Sequence, residues 1–102
     1  MLARFPTDNP KTSKTDLDNQ ALRLAIIAEL DAIDLYEQLA AATSDKKLMT
    51  VFLEVAGEEK THVGEFLELL LGNDKEQVRG IEAGKKEVKE ALKGIREMRT
   101  GV

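Results

Sequence analysis

The chain has 102 residues, a third of them charged, with a formal net charge of −4 and no cysteine. That length holds one small domain, whose limited core gains from a partner chain, and the missing cysteines exclude both a disulfide framework and a thiolate metal site. Acidic and basic side chains are mixed, with no dense basic face, so nucleic acid is disfavoured as a partner.

Residues 1–14 carry both prolines, Pro6 and Pro10, and read as an irregular polar arm. The opening MLARFPTDNPK lacks the apolar stretch of a signal peptide, and no apolar run approaches a membrane span. A soluble intracellular protein is the expectation. Thr15 followed by Asp18 resembles a capping box with the shorter acid. The next stretch has no glycine or proline, and Leu22, Ile26, Ile33, Tyr36 and Ala40 recur at helical spacing. This predicts a first helix over 16–42, about 40 Å long.

Thr43 or Ser44 is placed to cap a second helix, with Asp45 favourable in its first turn. Leu48, Phe52, Val55, Phe66 and Leu69 continue the stripe. Gly57 and Gly64 interrupt it at a cost of about 1 kcal/mol each against alanine, which close approach of another helix would explain. Gly72 with Asn73 forms a stop signal. The link between the two helices is short, so they should form an antiparallel hairpin over 15–72.

Asn73 or Asp74 can start a third segment, 73–102, with apolar positions Val78, Ile81, Val88, Leu92, Ile95 and Met98. Gly80, Gly84 and Gly94 weaken it, leaving one helix or two shorter ones, read as a packing or assembly element. No strand alternation appears. The expected fold class is all-α: an antiparallel helical hairpin plus a C-terminal helix.

Three polar residues break the apolar seams. On the first helix the seam Leu22, Ile26, Glu29, Ile33, Tyr36, Ala40 is apolar or aromatic except at Glu29. On the second, Leu48, Phe52, Val55, Glu59, His62, Phe66, Leu69 is apolar except at Glu59 and His62. The latter pair, three residues apart, shares one helix face. Burying an unpaired carboxylate costs several kcal/mol, and two carboxylates side by side repel unless protonated or bound to a cation.

A lone Glu-x-x-His is a weak signal. Here all three residues fall on seam registers, at comparable depth in the hairpin. Di-iron carboxylate bundles use a glutamate from each of two helices and a Glu-x-x-His from each of the other two. One chain carries half of that set, and a two-fold dimer would supply both the missing ligands and the missing helices. Carboxylate and imidazole ligands suit iron, manganese or zinc. Tyr36, one heptad after Glu29, reads either as a core aromatic or as a hydrogen-bonding or redox-active neighbour of the site.

The stretches ALRLAIIAELDAIDLYEQLA and FLEVAGEEKTHVGEFLELLLGND resemble the encapsulated ferritins, especially the archaeal form fused ahead of an encapsulin shell protein. The resemblance covers roughly residues 15–97. It implies that Glu29, Glu59 and His62 are metal ligands, that Glu59 bridges two ions, and that Tyr36 is the aromatic residue near the site. It implies a ferritin-like fold in which dimerisation completes a four-helix bundle, a ferroxidase centre of two iron ions per dimer, a ring-shaped decamer of five dimers, and iron storage inside a cytoplasmic encapsulin nanocompartment. Fe(II) and dioxygen would be the substrates. Bacterial members carry a glutamate pair and a tryptophan along the route by which ions reach the site. Ala28, Asp31 and Leu35 stand in those places here, and Asp31 alone keeps an acid. The tail IREMRTGV is not a clear shell-targeting peptide. Two other readings of the same residues are a structural module with a buried polar network or static metal, and a rubrerythrin-like peroxidase.

Overall fold

The computed structural model describes residues 13–100; the proline-containing arm, apart from its last two residues, lies outside this range. Three helices follow in order: α1 (Lys14–Ala42), α2 (Lys46–Asn73) and α3 (Lys75–Thr100). No strand occurs among the described residues, so the all-α class read from the pattern holds.

Each helix start is set by one side chain. Ser13 caps α1: its hydroxyl accepts from the Asp16 N–H at 3.1 Å, and its carbonyl from the Leu17 N–H at 2.9 Å. The helix therefore starts two residues ahead of the expected 16, and Thr15 lies within it rather than capping it. Serine outranks threonine as an N-cap, and this start puts Asp16 in the first turn, where its charge meets the positive end of the helix dipole.

Thr43 ends α1, and its hydroxyl accepts from the Asp45 N–H at 3.1 Å. Asp45, rather than Thr43 or Ser44, caps α2. Its Oδ1 accepts from the N–H groups of Lys47 and Leu48 at 2.8 and 3.4 Å. A full negative charge at the helix dipole's positive end is what neither hydroxyl offers. The connection is three residues long, which folds α2 back antiparallel to α1.

Helix α2 continues through Gly72 and stops at Asp74, an extended residue whose N–H donates to the Leu70 carbonyl at 2.9 Å. Gly72 thus stays helical and supplies no left-handed cap. Asp74 starts α3 at once, its Oδ1 accepting from the Gln77 N–H at 3.0 Å. α3 is one continuous helix through Gly80, Gly84 and Gly94.

α1 and α2 pack together along their lengths, whereas α3 packs only on the end of α2. The radius of gyration, 18.7 Å, exceeds the roughly 13 Å of a compact chain of this length because α3 stands away from the hairpin. The buried apolar residues are Ile33, Ala40, Ala56 and Leu70. On α1 these follow the expected seam. On α2, Leu48 and Leu69 at the two ends of the expected seam are exposed, and the buried places fall to Ala56 and Leu70, each one residue past a seam position, Val55 and Leu69. The expected stripe of α2 therefore runs along the border of the α1 contact. No other helix or side chain among the described residues comes within 4 Å of a Cβ position at Gly57 or Gly64, so no close helix approach there accounts for them. Among the described residues no helix is long and apolar enough to cross a membrane.

Candidate metal centre

The site follows from hairpin arithmetic. Glu29 stands 14 residues before Thr43, and Glu59 stands 14 residues after Asp45, about 21 Å of helix in each case. Two antiparallel helices of equal reach from a tight turn bring those positions level. His62 follows Glu59 by less than one turn and projects from the same face of α2.

Glu29, Glu59 and His62 each offer one ligand atom, and these atoms lie within 4.8 Å of one another. The His62 Nδ1 lies 3.4 Å from Glu29 Oε2 and 3.5 Å from Glu59 Oε2. Both separations exceed an ordinary N–H···O bond of about 2.7–3.2 Å. The contacts are close approaches between potential ion-pair partners, and no hydrogen bond satisfies Glu29 Oε2, which is shielded from solvent without a partner. The Glu29 and Glu59 side chains are 19% and 18% exposed, and His62 is 43% exposed. Two shielded carboxylates thus converge beneath an imidazole that opens to solvent. A cation would relieve both the mutual repulsion of the carboxylates and the unmet oxygen, and the oxygen and nitrogen donors suit iron, manganese or zinc.

The remaining sequence candidates lie apart from this cluster. The Tyr36 ring stacks on Phe52 across the hairpin, with centroids 6.2 Å apart and planes inclined by 28°. Tyr36 and Phe52 lie seven residues from Glu29 and Glu59 respectively, toward the turn, so this aromatic layer is two helical turns from the ligands. Asp31 is exposed on α1. Two residues past Glu29, it projects about 200° round the helix from that carboxylate.

Two cross-helix ion pairs escape sequence reasoning. Lys60, beside Glu59, pairs with Glu37 across the hairpin at 3.1 Å. Arg23 on α1 pairs with Asp74 at the α2–α3 joint. The partners are 23 and 51 residues apart, and charge pattern within one helix carries no signal for either.

Residues 7–84 match the EncFtn-like family. The chain is 52% identical over 99 residues to the ferritin-like-encapsulin shell fusion protein of Pyrococcus furiosus, covering 93% of this chain and 28% of that protein. It is 36% identical over 80 residues to the encapsulin nanocompartment cargo protein EncC of Myxococcus xanthus, covering 72% of this chain and 61% of that one. The cargo protein EncB of the same organism matches at 40% over 57 residues, covering 55% of this chain and 36% of that one. The chain therefore spans only part of each of these relatives. The crystal structure of the encapsulated ferritin domain from Pyrococcus furiosus superposes with a TM-score of 0.76 at 48% identity, covering 88% of this chain and 94% of that one. By its sequence, its three-helix architecture and its match over most of its length, the chain belongs to the encapsulated ferritin, or EncFtn-like, family.

Proposed function

We propose that this chain is half of a ferroxidase: paired two-fold with a second copy, it binds two Fe(II) ions as substrate and oxidises them with dioxygen. The observation that carries the reading is the convergence of Glu29, Glu59 and His62, with Glu29 Oε2 shielded and without a hydrogen bond. Three donors from one chain are half of the set a two-ion carboxylate site uses. The small intramolecular core and the exposed Leu30, Leu48, Val51 and Leu69 favour a second copy as the other half. Family membership supports iron as the metal and an oxidoreductase as the class.

In this reading Glu29 and His62 are terminal ligands and Glu59 bridges the two ions. Bound iron supplies the electrons, and the net reaction is 4 Fe(II) + O2 + 4 H+ → 4 Fe(III) + 2 H2O. The protein's part is to hold the donors level across the hairpin and to shield the carboxylates. Tyr36, in the aromatic layer two helical turns from the ligands, acts on the site at a distance through its hydroxyl, and exposed Asp31, on another face of α1, adds to the negative surface that draws cations to the chain. α3 is an assembly segment, and five dimers close into a ring. The names of the relatives favour a nanocompartment shell as the partner that stores the product, and in this reading the chain works inside an encapsulin compartment in the cytoplasm.

The rival reading, a structural polar network, needs the three side chains to satisfy one another. Separations of 3.4 and 3.5 Å and an orphaned oxygen count against it. Anaerobic Fe(II) titration followed by air exposure separates the two. The ferroxidase binds one ion per chain, pairs as it binds, and oxidises iron faster than its His62→Ala variant. Equal rates, or no binding at that ratio, would refute it.

A further inference from the structure

Asp74 is bonded to all three helices. Its N–H closes α2 on the Leu70 carbonyl, and its Oδ1 opens α3 by accepting from the Gln77 N–H. Its Oδ2 receives the Arg23 guanidinium from α1. The Asp74 side chain is 16% exposed and that of Arg23 43%, so the pair is partly shielded from the solvent screening that weakens surface pairs. The backbones of α1 and α3 do not come together; the two helices meet only near the joint, where Arg23 lines a cleft with Gln77 and Gly80. A cap alone starts a helix, but a single extended linking residue leaves α3 free to swing about the end of α2. The guanidinium on the other carboxylate oxygen adds a fixed point on a third element, and three anchors define a direction where two define a hinge.

We propose that the Arg23–Asp74 pair sets the direction in which α3 leaves the hairpin, and that Arg23 is thereby a positioning residue for assembly. α3 carries its exposed apolar positions Val88, Leu92, Ile95 and Met98 far from the joint. From Asp74 to Leu92 is 18 residues, about 27 Å of helix. A change of 20° at the joint would move Leu92 by about 9 Å, enough to take it out of register with any surface it meets. The assembly part rests on the proposed role of α3 as an assembly segment; the orientation part does not.

The test uses the absence of cysteine. Labels at Gln38→Cys on α1 and Glu90→Cys on α3, diluted into unlabelled chain, report the α1–α3 distance by pulsed dipolar spectroscopy. Arg23→Gln removes the pair and leaves the cap. Asp74→Asn removes the charge and keeps a good cap. Asp74→Ala removes both. The expected result is that Arg23→Gln and Asp74→Asn each at least double the width of the distance distribution, with unchanged helix content, and spread the native mass over several assembly sizes. A change in Asp74→Ala alone would assign the direction to the cap and overturn the proposal, as would distances unmoved in all three variants. Fe(II) binding is read in the same samples. Loss of iron binding in the parent chain would strike the ferroxidase reading and leave the distance result standing.

Discussion

The Nδ1 of His62 lies 3.4 Å from Oε2 of Glu29 across the hairpin, and that oxygen has no hydrogen-bond donor. A side chain in position to donate, held just beyond bonding distance, leaves the carboxylate unsatisfied. A cation would satisfy that oxygen.

The first consequence is a trade of stability against function. Glu29→Met removes a shielded, unpaired oxygen and its repulsion with Glu59. The metal-free protein should gain about 1–3 kcal/mol in chemical unfolding while losing tight Fe(II) binding. A metal-free variant less stable than the parent would mean that Glu29 is satisfied in solution.

Replacing Glu59 should be the most damaging change for oxidation, because one carboxylate serves both ions in the proposed centre. Glu59→Gln keeps the shape and removes the charge. Its initial rate of Fe(II) oxidation is expected to fall at least 100-fold, with circular dichroism unchanged. A rate within two-fold of the parent would leave the bridge without support.

Iron itself should stabilise the paired state. A ligand present at 100 times its Kd adds about 2.7 kcal/mol to a site formed only in the folded protein. Thermal unfolding under anaerobic Fe(II) should therefore shift upward, and a chelator should reverse both the shift and the pairing. The same curve with and without chelator would argue against a metal-built interface.

Tyr36 and Phe52 can be separated. Tyr36→Phe preserves the ring pair and removes the hydroxyl, so stability should change by less than about 1 kcal/mol while oxidation slows several-fold. Phe52→Ala removes the stacking partner and should cost about 3 kcal/mol. If Tyr36→Phe oxidises iron at the parent rate, the tyrosine serves packing alone.

The helix caps give an independent check on the fold. Asp45→Ala removes the acceptor for the Lys47 and Leu48 N–H groups and should destabilise by about 1 kcal/mol. Ser44→Ala should be nearly silent, and the reverse order would move the start of α2.

Periodicity alone carried much of this protein. The 3.6-residue pattern marks the helices, since each must turn an apolar stripe inward, and it exposes Glu29, Glu59 and His62 as polar interruptions of that stripe. The tight link at Thr43–Ser44–Asp45 then makes an antiparallel hairpin, and counting residues from it levels the three. What the chain's order could not decide depends on competition and on distance. Ser13 over Thr15, and Asp45 over its two neighbouring hydroxyls, are choices among residues that can all cap, separated by about 1 kcal/mol or less. The burial of Ala56 and Leu70 rather than their seam neighbours Val55 and Leu69 depends on how α2 rolls against α1, a rotation of one residue that period alone leaves free. Arg23 meets Asp74 across 51 residues, because a long-range ion pair exists only once three helices have taken their places; that contact, invisible along the chain, ties the direction of α3 to α1.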